Sequence, residues 1–150
     1  MKLELAIPAD WVATRANRDG REVIDVVSGL RIEIEAPMPT PANPAEVLEA
    51  IVARDPRGDA TLERAGHVEG RTTEGVPLTV SSIKFRDAEN TVIEGRLVAY
   101  YAFADVAAIV SCRMVDREAL VRFGPAMTEL FASARLDRAD APPRINDLYD

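Results

Sequence analysis

The sequence holds a single cysteine and a single histidine, and this scarcity excludes several kinds of site. Cys112 has no second thiol for an internal disulfide or for a cysteine-cluster metal site. His67 by itself cannot supply the several imidazoles that many metal centres use. We therefore expect no metal and no cofactor. A lone reduced thiol also fits a cytoplasmic location, where disulfides are rare.

Basic residues are in the minority. There are 25 acidic residues against 18 lysines and arginines, which gives a formal net charge of −7. Nucleic acids and anionic membrane surfaces attract basic patches, so this balance argues against both as the main partner. The only lysines are Lys2 and Lys84. Together with abundant alanine, this preference for arginine suggests a GC-rich, bacterial source.

Long apolar runs are lacking. A membrane-spanning helix needs about 20 consecutive apolar residues. The first apolar stretch is interrupted by Glu4 and is too short for the core of a signal peptide. The longest weakly charged run, residues 97–112, contains Asp105 and is more typical of two strands. We therefore expect a cytoplasmic protein without membrane insertion.

The chain has 150 residues, of which 47% are hydrophobic, and this predicts one domain with a sizeable core. We place that domain at residues 1–136. Residues 137–150 form a polar C-terminal tail in which Pro142 and Pro143 block a continuing helix. Ile145, Leu148 and Tyr149 in this tail leave two alternatives open, a solvated end and a docking segment.

The first half of the chain predicts three strands and a helix. Leu30, Ile32 and Ile34 alternate with polar residues, which is typical of a strand with one buried face. Residues 2–7 and 22–27 have similar patterns. A proline-rich connector follows, and Asn43 with Pro44 then predicts a helix start.

The second half predicts four more strands and a closing helix. The strands cover residues 61–71, 76–85, 91–103 and 106–114, and the last is apolar on both faces. Asp116 is a good N-cap for the helix, and Pro125 predicts a kink within it. The order β-β-β-α-β-β-β-β-α predicts an α+β fold: an antiparallel sheet of about six to seven strands flanked by two helices.

Four local motifs are similar to the Mog/PsbP/DcrB-like superfamily. They are Ile-Pro-Ala-Asp-Trp at residues 7–11, Thr-Glu-Gly-Val-Pro at 73–77, Ala-Tyr-Tyr-Ala-Phe at 99–103, and Phe-Gly-Pro at 123–125 with Ser-Ala-Arg-Leu at 133–136. The resemblance covers residues 3–136 and implies a curved antiparallel sheet between an inserted helix and a C-terminal helix.

Membership in this superfamily would imply a binding protein rather than an enzyme. Its cytoplasmic branch includes small chaperones of type VI secretion effectors, and the resemblance points to that branch because no export signal is recognised. It would make this chain an adaptor or chaperone for another protein. The resemblance transfers no functional residue, because no binding motif matches position by position.

Residues with catalytic chemistry have simpler explanations in this sequence. His67 fits a partly exposed strand position, and Cys112 fits the core of the apolar strand, where a free cysteine behaves as a small hydrophobic residue. No phosphate-binding loop, dinucleotide motif or serine elbow is present. We therefore predict no catalytic residue and a non-enzymatic function.

A possible binding surface lies on the aromatic strand. Tyr100 points away from Tyr101, so a single covering layer would leave an apolar groove. The candidate partner-binding residues are Val98, Tyr100 and Ala102, with Val80 or Ile83 beside them. We expect the occupant to be an apolar helix of a secreted effector, or a second copy in a homodimer that buries about 1,600 Å².

Two other functional classes stay open. Small size and net acidity also suit a bacterial immunity or inhibitor protein. A small enzyme that uses isolated glutamate, arginine or tyrosine residues, without a recognisable motif, is the other alternative.

Overall fold

The computed structural model describes residues 1–54, 58 and 60–138. These residues form ten strands and three α-helices. The strands are β1 (Lys2–Glu4), β2 (Ala13–Arg18), β3 (Arg21–Val26), β4 (Leu30–Glu35), β5 (Met38–Pro39), β6 (Thr61–Arg71), β7 (Pro77–Arg86), β8 (Val92–Ala102), β9 (Val106–Met114) and β10 (Arg135–Asp137). The helices are α1 (Pro44–Ala53), α2 (Arg117–Phe123) and α3 (Met127–Ala132).

Eight strands form one antiparallel sheet in the order β2-β3-β4-β9-β8-β7-β6, and β5 pairs with β9 beyond the end of β4. The remaining strands, β1 and β10, pair with each other. The predicted α+β class is confirmed, with an antiparallel sheet between helices. Three short strands were not predicted, namely β2, β5 and β10. The side chains of β2 are almost all exposed, so the strand carries no alternation of polar and apolar residues.

The central strand β9 is buried on both faces, as its composition predicted. Ala107 and Ile109 pack on one face, while Val110 and Cys112 pack on the other. All four side chains are inaccessible to solvent. Because each face needs its own cover, the sheet has helices on both sides.

One face is covered by α2, a single 3-10 turn (Gly124–Ala126) and α3. The Asp116 carboxylate accepts a hydrogen bond from the Ala119 backbone N–H at 2.8 Å, which confirms the predicted cap. The 3-10 turn contains Pro125, at the predicted interruption.

This helical layer follows the length of β8. A Cβ on Gly95 would lie 2.4 Å from Leu120 Cδ2, so the glycine is what lets α2 approach the strand closely. At the other end of β8, the Tyr101 hydroxyl donates to the Phe131 carbonyl oxygen of α3 at 2.8 Å. The two contacts hold the helices above β8.

The opposite face is covered by α1. The helix starts at Pro44 as predicted, although the Asn43 side chain makes no capping hydrogen bond. It packs through its apolar side chains Val47, Leu48 and Ile51. Arg54, just after the helix, pairs with Glu33 and Glu35 on the polar side of β4.

The first residues of the predicted tail are ordered on the domain. Asp137 pairs with Lys2 in the β1–β10 ladder, and the Arg138 guanidinium donates two hydrogen bonds to Asp105. The Arg138 hydrogen bond holds the pKa of Asp105 below its usual value. The rest of the predicted tail, residues 139–150, lies outside the described residues.

A buried carboxylate organises the α1 side of β8 and β9. Arg96 and Arg113 are directly opposite each other in the ladder, and like charges in that position repel. Glu94, with a side chain 1% exposed, accepts hydrogen bonds from Arg96 Nε at 2.8 Å and Arg113 Nε at 2.5 Å. The Arg96 guanidinium also lies over the Phe85 ring, 4.4 Å from its centre. Glu94 therefore offsets a repulsion that the register imposes.

Removal of the Tyr101 hydroxyl should destabilise the protein. In Tyr101→Phe the buried Phe131 carbonyl loses its side-chain donor, so we expect the free energy of unfolding to fall by about 1–3 kcal/mol. Urea unfolding monitored by circular dichroism measures the change. Tyr100→Phe is the matched control, because it removes a hydroxyl on the other face of β8. If the free energy of unfolding falls equally in the two variants, the hydrogen bond to α3 is not the source of the stability that the Tyr101 hydroxyl contributes.

Removal of the Glu94 charge should lower the free energy of unfolding more than removal of the Tyr101 hydroxyl does. In Glu94→Gln the Arg96 and Arg113 guanidinium groups keep their charges but lose the carboxylate between them. We therefore expect the free energy of unfolding to fall by about 3–5 kcal/mol. Glu63→Gln breaks the exposed pair with Arg86 and should leave the unfolding midpoint almost unchanged. A Glu94→Gln midpoint near that of the wild type would contradict this role of the carboxylate.

Candidate functional site

A depression with a largely apolar lining lies beside α3. It has a volume of about 510 Å³ and opens between the outer strands β6 and β7 and the helical layer. We call it the β6–α3 groove. Its apolar lining side chains are Val68, Leu78, Val80, Leu97, Met127 and Phe131.

The floor of the groove follows from the sheet register. Val68 of β6 is opposite Val80 of β7, and Gly70 is opposite Leu78. Because side chains alternate between faces, these positions all point to the side of α2 and α3. Leu97 of β8 continues the same face toward the helices. The floor therefore joins the main core through Leu78 and Val80, with Ser82 as a polar member opposite Leu97.

The helical wall is held at the C-terminal end of α3. Tyr101 anchors the Phe131 carbonyl, as described above, and the Thr73 backbone N–H donates to the Ala132 carbonyl at 2.9 Å. Thr73 belongs to the turn between β6 and β7, where Gly75 has a φ of +86°. The turn and the helix therefore define the upper end of the groove together.

The outer rim is open because the helices do not extend over β6. All side chains of β6 whose burial is described are exposed, and Val68 is 72% exposed. A Cβ built on Gly66 or Gly70 would meet no atom within 4 Å. Among the described residues, none covers the apolar floor at the edge of the sheet.

The predicted partner-binding residues are divided between the two faces. Ile83, Val98 and Tyr100 are 2%, 2% and 8% exposed and face α1, and the half-buried Ala102 packs against the same cluster. Val80 faces the other side and lines the β6–α3 groove. Of the two alternatives offered beside these three residues, Ile83 therefore shares their face, opposite Arg96 in the ladder, and Val80 does not. The binding role of all five residues stays a prediction.

Sequence reasoning missed most of the groove. Residues 61–71 were recognised as a strand with weak patterning, but not as the edge of the sheet. The available signal was Gly66 and Gly70 on either side of Val68, because glycine inside a strand marks a bulge or an approach by another chain. A bulge is present between Arg64 and Gly66.

The residues with catalytic potential have no setting for catalysis among the described residues. Cys112 is completely buried, and burial raises the pKa of its thiol well above the usual value, so the nucleophilic thiolate is disfavoured. His67 is exposed on β6 opposite Ser81, on the α1 side of the strand. No group of three or more histidine, cysteine, aspartate or glutamate side chains in the described ranges is placed to hold a metal ion.

No helix in the part of the chain that the structure describes is long and apolar enough to cross a membrane.

Comparisons with protein-family models and with curated proteins give no match. Solved structures do match. Cyanobacterial PsbP from Synechocystis sp. PCC 6803 has a TM-score of 0.60 and 10% identity, over 91% of this chain and 93% of PsbP. The Saccharomyces cerevisiae Ran-binding protein Mog1p has a TM-score of 0.55 and 10% identity, over 89% of each chain.

A third structure, PA94 from Pseudomonas aeruginosa, a protein of unknown function, covers 92% of this chain and 99% of its own, with a TM-score of 0.49 and 11% identity. At these identities the comparisons show the fold alone. The chain thus has the α+β fold of PsbP and Mog1p, as the sequence motifs predicted.

Proposed function

We propose that this chain is a non-enzymatic protein-binding module that holds an apolar helix of a partner protein in the β6–α3 groove. The observation that carries the proposal is the uncovered apolar floor beside α3, lined by Val68 and Val80. An amphipathic helix would complete the helical layer there, since its apolar face would replace water over the floor.

Two further features support a binding role. The groove has walls held by backbone hydrogen bonds, so its shape exists before a partner binds, which lowers the entropic cost of association. The fold is also that of Mog1p, which is a Ran-binding protein. The net charge of −7 favours a partner with basic residues next to its apolar face.

The finer proposal is a small cytoplasmic adaptor or chaperone that shields the apolar helix of a secreted effector, as in the type VI secretion chaperones suggested by the sequence motifs. Shielding of this kind requires an apolar surface that stays accessible in the absence of the partner, and the exposed Val68 at the rim of the groove fits that requirement. The predicted homodimer stays a prediction, which light scattering at micromolar concentration tests.

A charge in the groove should weaken helix binding. The probe is a fluorescently labelled, leucine-rich helical peptide flanked by lysines. We expect Val68→Glu to weaken its binding at least about tenfold, which corresponds to about 1.4 kcal/mol, because the carboxylate must lose water when the helix docks. Fluorescence anisotropy measures the dissociation constant.

The chain offers a matched control for this variant. Val121 on α2 is also 72% exposed but does not line the groove, so Val121→Glu adds the same charge at an equally exposed valine. We expect wild-type affinity in this control. The proposal is wrong if the peptide does not bind, or if the two variants bind it equally well. Co-purification from the native host with each variant, followed by mass spectrometry, then identifies any partner lost only from Val68→Glu.

A further inference from the structure

The edge of the sheet at β6 borders the groove, since residues 66–71 belong to the lining of the groove. Among the described residues the strand has a single neighbour, β7, so one side of its backbone faces away from the described part of the sheet. An edge strand presents backbone N–H and C=O groups that another strand can pair with. We infer that β6 binds an extended segment of a partner protein by β-strand addition, along residues 66–71.

Residues 66–71 suit this pairing better than the rest of the edge. The bulge between Arg64 and Gly66 interrupts the first half of β6, and bulges are a common protection against pairing at an edge. From Gly66 to Arg71 the register with β7 is continuous. Gly66 itself has a φ of +119° and still belongs to the bulge, so the regular template is residues 67–71.

The other edge of the sheet is a poorer template. Strand β2 has six residues, and its exposed side chains after Ala13 are Thr14, Arg15, Ala16, Asn17 and Arg18. It offers no large apolar side chain to a partner. The β6 edge adds the apolar Val68 to its backbone groups.

The two glycines of β6 define which side chains the partner strand should carry. Gly66 and Gly70 lie on the same face as Val68, and a Cβ on either glycine would meet no atom within 4 Å. A neighbouring strand about 4.8 Å away would place its residues opposite these gaps. Large side chains opposite the glycines would reach over them toward Ser82, behind Gly66, and Leu78, behind Gly70, in the way that aromatic residues cover glycines in neighbouring strands.

The preferred partner segment is therefore extended. It carries aromatic residues at positions i and i+4, opposite the two glycines, and a small residue at position i+2, opposite Val68. Flanking lysines or arginines suit a chain with a net charge of −7. This mode goes beyond the proposed helix site, because it depends on backbone pairing at the edge rather than on cover for the groove floor.

The test uses the peptide Lys-Lys-Phe-Thr-Ala-Thr-Phe-Lys-Lys with the full chain. We expect binding by calorimetry, and slower hydrogen exchange at alternate backbone amides of residues 66–71. The same peptide with N-methyl groups at its pairing amides should bind at least about tenfold more weakly, since it cannot complete the ladder. Binding without protection of the β6 amides would overturn the inference, and so would the absence of binding.

A matched pair of variants tests the role of the glycine gap. Gly70→Val fills open space at a backbone conformation open to any residue, so the variant should fold. We expect it to weaken peptide binding at least about tenfold. Thr14→Val puts the same side chain on the other edge strand, β2, and should keep wild-type affinity. Equal peptide affinity in the two variants would show that the open space over Gly70 does not contribute to binding. Binding of the labelled helical peptide described above is measured in parallel. Absence of binding by the extended peptide alone contradicts the inference about β6, whereas absence of binding by the helical peptide alone contradicts the proposed function.

Discussion

The structure depends on a mismatch between the width of the sheet and the reach of the helices that cover it. Seven strands lie side by side from β2 to β6, which at about 4.8 Å per step is about 29 Å. A helix is about 10 Å across and covers two or three strands. Because α2 and α3 are held along β8 by Gly95 and Tyr101, no helix in the described ranges covers β7 and β6 on that side. The β6–α3 groove and the free edge of β6 are both consequences of this placement.

The two faces of the sheet differ in the residues that lie beyond the covering helices. On the α1 side the apolar cluster around Tyr100 is covered, and beyond the helix the sheet becomes charged. Glu94 makes that charged region compatible with folding, because it lies between Arg96 and Arg113 and offsets their repulsion. On the other side the floor remains apolar up to Val68. The face that carries α2 and α3 is thus the face with exposed apolar surface for a partner.

Much of the fold followed from local patterns, whereas the candidate site did not. Alternation identified β4, and apolar residues on both faces identified β9 as central. Asp116 and Pro125 located the cap and the break in the closing helix. The groove was missed because its members come from three strands and a helix, and Val80 alone was singled out. The strands β5 and β10 were missed since each is two or three residues long and depends on a partner distant in sequence.

The sequence by itself determined the class of the fold, the absence of disulfides, the acidic charge and the alternation that assigns each strand residue to a face. Alternation is local, since it depends only on the geometry of an extended chain. Only the tertiary structure decided which strand ends the sheet and where the helices lie across it. These depend on long-range pairing and on contacts such as Gly95 with Leu120 and Tyr101 with Phe131. For that reason Gly66, Val68 and Gly70 became a candidate binding surface only when β6 was found at the edge.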